Sequence, residues 1–351
     1  MTKRTETRQI SVGGVLLGGG APVRVQSMCN TRTSDAAATL AQIRTLADAG
    51  CEIIRVAVPD EQSARALRDI CRESPVPVVA DIHFDYKLAL LSAEAGVAKL
   101  RINPGNIGGP ERVRAVAEAC GERGIPIRIG INGGSLEKPL LAKYGKPTAE
   151  ALVESAAGHV ELLERFGFRD ICLSLKSSTV PLTVEANRLA AETFPYPLHL
   201  GVTEAGTSYG GIIRSAAGIG ALLLEGIGDT IRVSLTADPV EEVRAALELL
   251  RACGLRQGGP RVISCPTCGR TRIDLIDAAK RVEEALRGCE REITVAVMGC
   301  AVNGPGEARE ADYGLAGGDG EALLFKKGQI VGKVPEDRMV EALMELIRQE
   351  S

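Results

Sequence analysis

The sequence predicts an α/β chain: a (β/α)8 TIM barrel over residues 1–256, then a small α+β domain over residues 257–351. Three observations carry this expectation. Short β-branched runs alternate with Ala/Leu/Glu/Arg-rich stretches of helical period, giving eight strand–helix units between residues 23 and 253. No G-x-G-x-x-G fingerprint follows the first run, which disfavours a doubly wound open sheet. The alternation then breaks at Gly254 and at Gln257-Gly258-Gly259-Pro260, which reads as a linker.

Residues 9–22 read as a hairpin, with Ile10-Ser-Val12 and Val15-Leu-Leu17 flanking Gly13-Gly14, placed to plug one end of a barrel. Barrel strands are expected at 23–28, 51–58, 77–83, 99–103, 126–131, 170–175, 197–203 and 230–235. The helices between and after them are expected at 35–49, 61–73, 86–95, 110–123, 148–166, 181–193, 209–225 and 239–253. Beyond the linker the order changes in kind. A strand at 261–264 leads into a cysteine turn, a helix at 272–287, a strand at 292–298 and a Gly-rich turn. Strands near 312–316, 321–326 and 329–333 and a helix at 336–350 follow. The alternating charges of Arg281-Val-Glu283-Glu284 mark an ordinary solvated helix face.

Composition narrows the function classes. The chain of 351 residues is 45% hydrophobic and 25% charged, as in soluble globular proteins. A net charge of -3 argues against a general nucleic-acid or membrane-surface binder. Trp is absent and aromatics are scarce, so base-stacking platforms are not expected. Met1 to Arg8 is polar, without the apolar region of a secretory signal, and no apolar run spans a bilayer. A cytoplasmic, reducing location is expected. Of ten cysteines, Cys29, Cys51, Cys71, Cys120, Cys172, Cys253 and Cys289 sit in strand or helix patterns and read as small buried hydrophobes.

In a TIM barrel the active site lies at the C-terminal ends of the strands. Polar residues gather there in this chain. They are Arg55 on the second strand, Asp81 and His83 on the third, Arg101 and Asn103 on the fourth and Arg128 and Asn132 on the fifth. Ser174 and Lys176 follow on the sixth, Thr203-Glu204 on the seventh, and Arg232 and Ser234 on the eighth. Residues two apart share a face of a strand. A charge inside an apolar strand is costly unless it is paired or used. Any one of these could be a structural ion pair. Five cations and His83 against two acids imply a polyanionic ligand, most simply a diphosphate or two phosphates. Glu204 among the cations fits a proton donor or a hydroxyl clamp. His159 and His199 read as structural.

The third feature lies in the second domain. Cys265-Pro-Thr-Cys268, Cys300 and Glu307 are surrounded by Gly and Pro that let backbone pass close to a bulky inorganic group. Three thiolates fall one short of a closed four-cysteine site. Three readings compete. Structural zinc asks for a second close pair, which is missing. A redox C-x-x-C leaves the stretch from Cys300 to Glu307 without a role. An iron–sulfur cluster with three thiolates and one oxygen ligand uses every feature.

Cys265-Pro-Thr-Cys268-Gly-Arg-Thr, Met298-Gly-Cys300-Ala-Val-Asn-Gly-Pro-Gly-Glu307-Ala, Val25-Gln-Ser-Met28 and Leu198-His-Leu-Gly-Val-Thr-Glu204-Ala-Gly together resemble the 4-hydroxy-3-methylbut-2-en-1-yl diphosphate synthase family, in its bacterial two-domain form. Cys29 departs from the Thr more common there. The resemblance implies an oxidoreductase of the methylerythritol phosphate route to isoprenoids. It would convert 2-C-methyl-D-erythritol 2,4-cyclodiphosphate to 4-hydroxy-3-methylbut-2-enyl diphosphate with two electrons. It implies a [4Fe–4S] cluster held by Cys265, Cys268, Cys300 and Glu307, with flavodoxin or ferredoxin as donor. It further implies a homodimer whose active site is shared between chains. Arg55, His83, Arg101, Arg128, Lys176, Arg232 and Ser234 would hold the diphosphate, with Asn103 and Ser174 also on the substrate. Asn132 and Glu204 would meet the hydroxyls, with Glu204 as proton donor, and Asp81 would orient His83 or a hydroxyl. Two other classes remain as alternatives: a non-catalytic iron–sulfur redox sensor, and a zinc-stabilised barrel enzyme acting on a phosphorylated substrate.

Overall fold

A computed structural model describes residues 4–103, 106–289, 291–301 and 309–349. Two compact units divide between Arg256 and Gln257. The first is the predicted barrel. Its parallel strands are β3 (Arg24–Met28), β4 (Ile53–Ala57), β5 (Val78–Asp81), β6 (Lys99–Ile102), β7 (Ile127–Asn132), β8 (Ile171–Lys176), β9 (His199–Leu200) and β10 (Thr230–Ile231). Neighbours pair in chain order from β3 to β8, while β10 lies between β3 and β9. A single parallel bridge, Leu173 to Leu198, joins β8 to the β9 side and closes the ring. The barrel is thereby nearly closed, which protects the edges of β8 and β9.

The outer ring consists of α1 (Ala36–Asp48), α2 (Glu61–Glu73), α3 (Tyr86–Glu94), α4 (Pro110–Arg123), α5 (Lys138–Tyr144), α6 (Ala149–Arg165), α7 (Val180–Thr193), α8 (Ser208–Leu224) and α9 (Pro239–Ala252). Local chemistry fixes their starts. Asp35, Asp60, Asp85, Thr148 and Asp238 each accept a hydrogen bond from a first-turn backbone N–H. Helix α5, between β7 and α6, is an addition to the predicted elements. Its seven residues carry too little periodicity to register, and a proline near its start and Gly145 after it set its bounds.

Ahead of the barrel, β1 (Ile10–Val12) and β2 (Val15–Leu17) form the antiparallel hairpin. Ile10, Val12 and Leu17 are buried against Ile53, Val79 and Cys172, which open strands β4, β5 and β8. The hairpin therefore plugs the N-terminal end of the barrel, as its alternation predicts, leaving the opposite end as the open mouth.

The second unit orders five strands as β11 (Arg261–Ser264), β12 (Thr294–Met298), β13 (Tyr313–Gly317), β14 (Glu321–Lys326) and β15 (Gln329–Pro335). The first three run parallel and the last two antiparallel. Helices α10 (Leu275–Ala285) and α11 (Met339–Arg348) bury Ala278, Val282, Leu343 and Ile347 with Val295, Val297, Leu315 and Leu324 of the sheet. Helix α10 begins three residues later than predicted because Asp274 caps it through the Asp277 N–H. No described helix is long and apolar enough to cross a membrane.

The hairpin plug carries a prediction. Leu17 is fully buried, so Leu17→Ala should cost about 2–5 kcal/mol of stability, read from the denaturant midpoint. A loss below about 1 kcal/mol would mean that the hairpin is not part of the barrel core.

Candidate functional site

The mouth of the barrel holds a cavity of about 280 Å3 lined by Met28, Arg55, Asp81, His83, Arg101, Arg128, Gly130, Asn132, Ser174, Lys176, Thr203, Arg232 and Ser234. Ten residues predicted from the strand ends are thus brought together. The period of two explains how. In β7, Arg128, Gly130 and Asn132 alternate with Ile127, Ile129 and Ile131, so three inward positions stack on one strand. Asn103 is buried just past the end of β6 but does not line the cavity. Glu204 is exposed, outside the lining, and has a left-handed backbone with φ 54°. That conformation is uncommon for a non-glycine residue and worth noting at a strand exit.

Glycine makes room for the cations. A Cβ on Gly130 would lie 2.6 Å from Arg101 Nε, and one on Gly201 would lie 2.6 Å from Lys176 Nζ. The inward course of these side chains therefore needs a missing methyl on the neighbouring strand. Thr203 is a strand-end residue to which the sequence assigns no role, and Gly130 and Met28 are additions to the predicted site residues. The same two-residue alternation from Gln26 to Met28 and from Arg128 to Gly130 could have found the last two.

Asp81 is the acid inside the lining. Its Oδ1 lies 3.1 Å from Arg101 Nη1, and its Oδ2 lies 3.6 Å from both Arg55 Nε and His83 Nε2. Burial would raise its pKa, but Arg55, the hydrogen bond from His83 and Arg101 outweigh that and hold it well below the usual carboxylate range. Behind the half-buried Arg232, the buried Glu242 of α9 forms a second pair, with Nε to Oε2 at 3.2 Å. Met28 Sδ accepts from Arg55 Nε at 3.0 Å and Nη2 at 2.8 Å. Arg128 donates from Nη1 to the neutral Gln26 Oε1 at 3.3 Å. Burial, then neighbouring cations, push the pKa of Lys176 far down. The pKa of Arg128 falls to about 10, chiefly through burial. No carboxylate pairs with Lys176 or Arg128 among the described residues, so the mouth keeps an excess of positive charge.

The polar lining continues one layer deeper, which the sequence reading missed. Lys99 is fully buried inside the barrel, and Nζ has no hydrogen-bond partner among the described residues. His199, also fully buried, lies with Nδ1 2.8 Å from Thr230 Oγ1. His159 meets Glu137 at 2.8 Å, away from the cavity. Both histidines therefore have structural partners.

In the second unit, Cys265 and Cys268 follow β11 and Cys300 follows β12. These two strands are parallel neighbours, with Ser264 opposite Val297. All three cysteines thus lie beyond the C-terminal ends of two adjacent parallel strands. Gly299 N–H donates to Cys265 Sγ at 3.3 Å, and Cys268 N–H donates to Thr271 Oγ1 at 3.2 Å. Cys268 is exposed, while Cys265 and Cys300 are half-buried and free. Among the described residues no three His, Cys, Asp or Glu side chains form a group able to hold a metal ion. Glu307 lies outside the described residues. The donor chemistry, three free thiols beyond the ends of two neighbouring strands with a backbone N–H on Cys265 Sγ, fits a thiolate-held inorganic centre. Cys29, Cys71 and Cys120 differ, since burial raises each pKa to about 12 and keeps the thiol protonated.

Comparison with known proteins covers nearly the whole chain. Residues 7–247 match the family profile "GcpE TIM-barrel domain", and residues 261–349 match "GcpE protein C-terminal domain". A relative from Geobacter sulfurreducens, named 4-hydroxy-3-methylbut-2-en-1-yl diphosphate synthase (flavodoxin), is 62% identical over 341 residues, with 97% of each chain covered. One of the same name from Maridesulfovibrio salexigens is 60% identical over 337 residues, covering 96% of this chain and 94% of its own. Among solved structures, the dihydropteroate synthase of Yersinia pestis aligns with a TM-score of 0.50 at 15% identity, over 70% of this chain and 97% of that one. At that identity the likeness concerns the barrel fold alone.

Lys99 gives this site a stability prediction. Burial, with Arg128 and Arg55 nearby, lowers its pKa from 10.5 to about 8. The folded state then binds this proton less tightly than the unfolded state. The cost is full below pH 8 and fades as pH rises toward 10.5. Lys99→Met should therefore stabilise the chain by a few kcal/mol at pH 7, with the gain shrinking by pH 10. Urea titrations at both pH values read this directly, and a destabilised variant at pH 7 would contradict it.

Proposed function

Because this chain belongs to the GcpE family, we propose that it reductively opens 2-C-methyl-D-erythritol 2,4-cyclodiphosphate and dehydrates it to 4-hydroxy-3-methylbut-2-enyl diphosphate. Two electrons and two protons enter and one water leaves. Flavodoxin is the electron donor, in line with the names of the relatives from Geobacter sulfurreducens and Maridesulfovibrio salexigens. The observation that carries this reading is the cavity in which Arg55, Arg101, Arg128, Lys176 and Arg232 converge with only Asp81 among them. Such a site suits a small polyanion, and a cyclic diphosphate offers two phosphates to several fixed cations.

Each residue then takes a role. Arg55, Arg101, Arg128, Lys176 and Arg232, with His83 and Ser234, hold the phosphates. Ser174 completes the substrate shell, and Asn103, buried outside the cavity lining, supports it from behind. Asp81 holds Arg101 and His83 in place. Asn132 and Glu204 meet the substrate hydroxyls, and Glu204 delivers the proton to the departing hydroxyl. The carboxylate of Glu204 reaches solvent, which supports proton supply from water. Binding energy at the phosphates, remote from the reacting carbons, fixes the orientation of the ring.

Cys265, Cys268, Cys300 and Glu307 would hold a [4Fe–4S] cluster. When bound, that group supplies the two electrons one at a time. Glu307 is the weaker ligand of the four. The working form is a homodimer in which one chain's second domain serves its partner's barrel. Phe84, next to His83 at the mouth, and Tyr209 and Ile213, in the first turns of α8, are exposed apolar side chains. Their exposure supports a covering partner.

Anaerobically purified protein should be brown and hold about four irons and four sulfides per chain. Zinc in place of iron would sink the cluster reading. Glu307→Ala should lower iron retention. Glu204→Gln should leave iron and absorbance intact and remove turnover of the cyclic diphosphate with a chemical reductant, the loss being at least the hundredfold of a general acid. Normal turnover by Glu204→Gln would show that the proton comes from elsewhere.

A further inference from the structure

Glu242 lies outside the cavity lining, yet it is the most fully engaged carboxylate near the site. It is buried in the first turn of α9, at 4% exposure. Its Oε2 accepts from Arg232 Nε at 3.2 Å and from Ser27 Oγ at 3.3 Å. Its Oε1 accepts from Arg232 Nη2 at 3.3 Å and from the Leu235 N–H at 2.9 Å. One carboxylate thus fixes a cation, a hydroxyl on β3 and a backbone N–H past β10.

Two consequences follow from that geometry. Strand β10 leaves the ladder after Ile231, although its sequence pattern runs to residue 235. The Leu235 N–H, which a longer strand would satisfy, is satisfied by Glu242 instead. The carboxylate therefore stands in for the missing end of the strand and holds the segment that carries Arg232 and Ser234. A forked pair also fixes the plane of a guanidinium. With Nε and Nη2 turned toward Glu242, the corner of Arg232 left over is Nη1, 3.5 Å from Met28 Sδ in the cavity wall. Met28 in turn meets Arg55. A thioether is a weak acceptor, and an incoming phosphate oxygen can displace it.

We propose that Glu242 is a positioning residue for substrate recognition, turning Arg232 so that Nη1 faces the phosphate-binding cavity and anchoring the segment that carries Ser234. The proposal rests on the reading of that cavity as the diphosphate site. Glu242 itself touches neither substrate nor cofactor.

The sign of one substitution separates positioning from mere proximity of charge. Neutralising an anion behind a phosphate site should tighten binding if only Coulomb attraction matters. Loosening Arg232 should weaken it. The test uses the reconstituted full-length enzyme with Glu242→Gln, Arg232→Met and the double variant. KM and kcat for the cyclic diphosphate are measured with a chemical reductant, alongside melting temperature. Glu242→Gln should raise KM about tenfold, the size of one charge-assisted hydrogen bond, while changing kcat less than about twofold. In the Arg232→Met background, Glu242→Gln should add no further rise in KM, because both changes remove the same contact. The double variant should also melt higher than Arg232→Met alone, which leaves a buried carboxylate unpaired. If Glu242→Gln folds poorly, comparing the double variant with Arg232→Met still decides the matter. A lowered or unchanged KM for Glu242→Gln, or a KM that multiplies in the double variant, would overturn the proposal. If Arg232→Met itself leaves KM unchanged, the failure lies with the cavity as the diphosphate site, and the role of Glu242 falls with it.

Discussion

Crowded positive charge at the mouth of the barrel is the constraint on which the rest of the molecule turns. Arg55, Arg101, Arg128, Lys176 and Arg232 share one cavity, and Lys99 lies a layer below. Bringing like charges together out of water is costly, and each cation is also desolvated. The chain offsets part of that cost with chosen partners. Asp81 serves Arg101 and Arg55, Glu242 serves Arg232, and the neutral groups Met28 and Gln26 serve Arg55 and Arg128. Neutral acceptors satisfy donors without cancelling charge. What remains uncompensated is the attraction available to a polyanion. A binding site of this kind is less stable empty than occupied, and the apolar shell and the hairpin plug must carry the difference.

Much of this was legible from the amino acids. Charged residues at every second position of otherwise apolar strands can only face inward in a barrel, and the count of strand–helix units made a barrel the expected fold. The period of two then placed Arg128 and Asn132 on the cavity side without any coordinates, whereas Asn103, two residues past Arg101, leaves its strand and lies buried outside the lining. What escaped notice did so for physical reasons. Lys99 starts its strand, where a lysine ordinarily reads as solvated. Gly130 and Gly201 act through absent atoms, so their role appears only when the neighbouring side chain is seen to fill the gap. Glu242 sits on a helix whose charge pattern, Glu241-Glu242, looks like an ordinary first turn. Its contacts span more than two hundred residues of sequence to Ser27. Strands β9 and β10 are shorter than their patterns because their last residues leave the ladder to carry Thr203, Arg232 and Ser234 to the cavity.

The second unit follows a different logic. Its small sheet ends two parallel neighbours side by side, and the turns after them bear Cys265, Cys268 and Cys300. Spacing alone left zinc, a redox pair and an iron–sulfur cluster in contention, because ligand number depends on residues far apart in sequence. The fold sets the three thiols after two neighbouring strands, while Cys29, Cys51, Cys120 and Cys172 of the barrel are buried and Cys71 and Cys253 are half-buried. The clustered cations and the three thiols thus lie on separate units. Each can be built on a rigid sheet without compromising the other.

If the cations act as proposed, the barrel mouth recognises the polyanion by itself. The most direct measurement is calorimetric titration of the cyclic diphosphate into metal-free, full-length protein at two salt concentrations. Saturable binding without iron that weakens as salt rises is the expected result, since screening acts on the same cations. Absence of binding until the metal centre is assembled would contradict it.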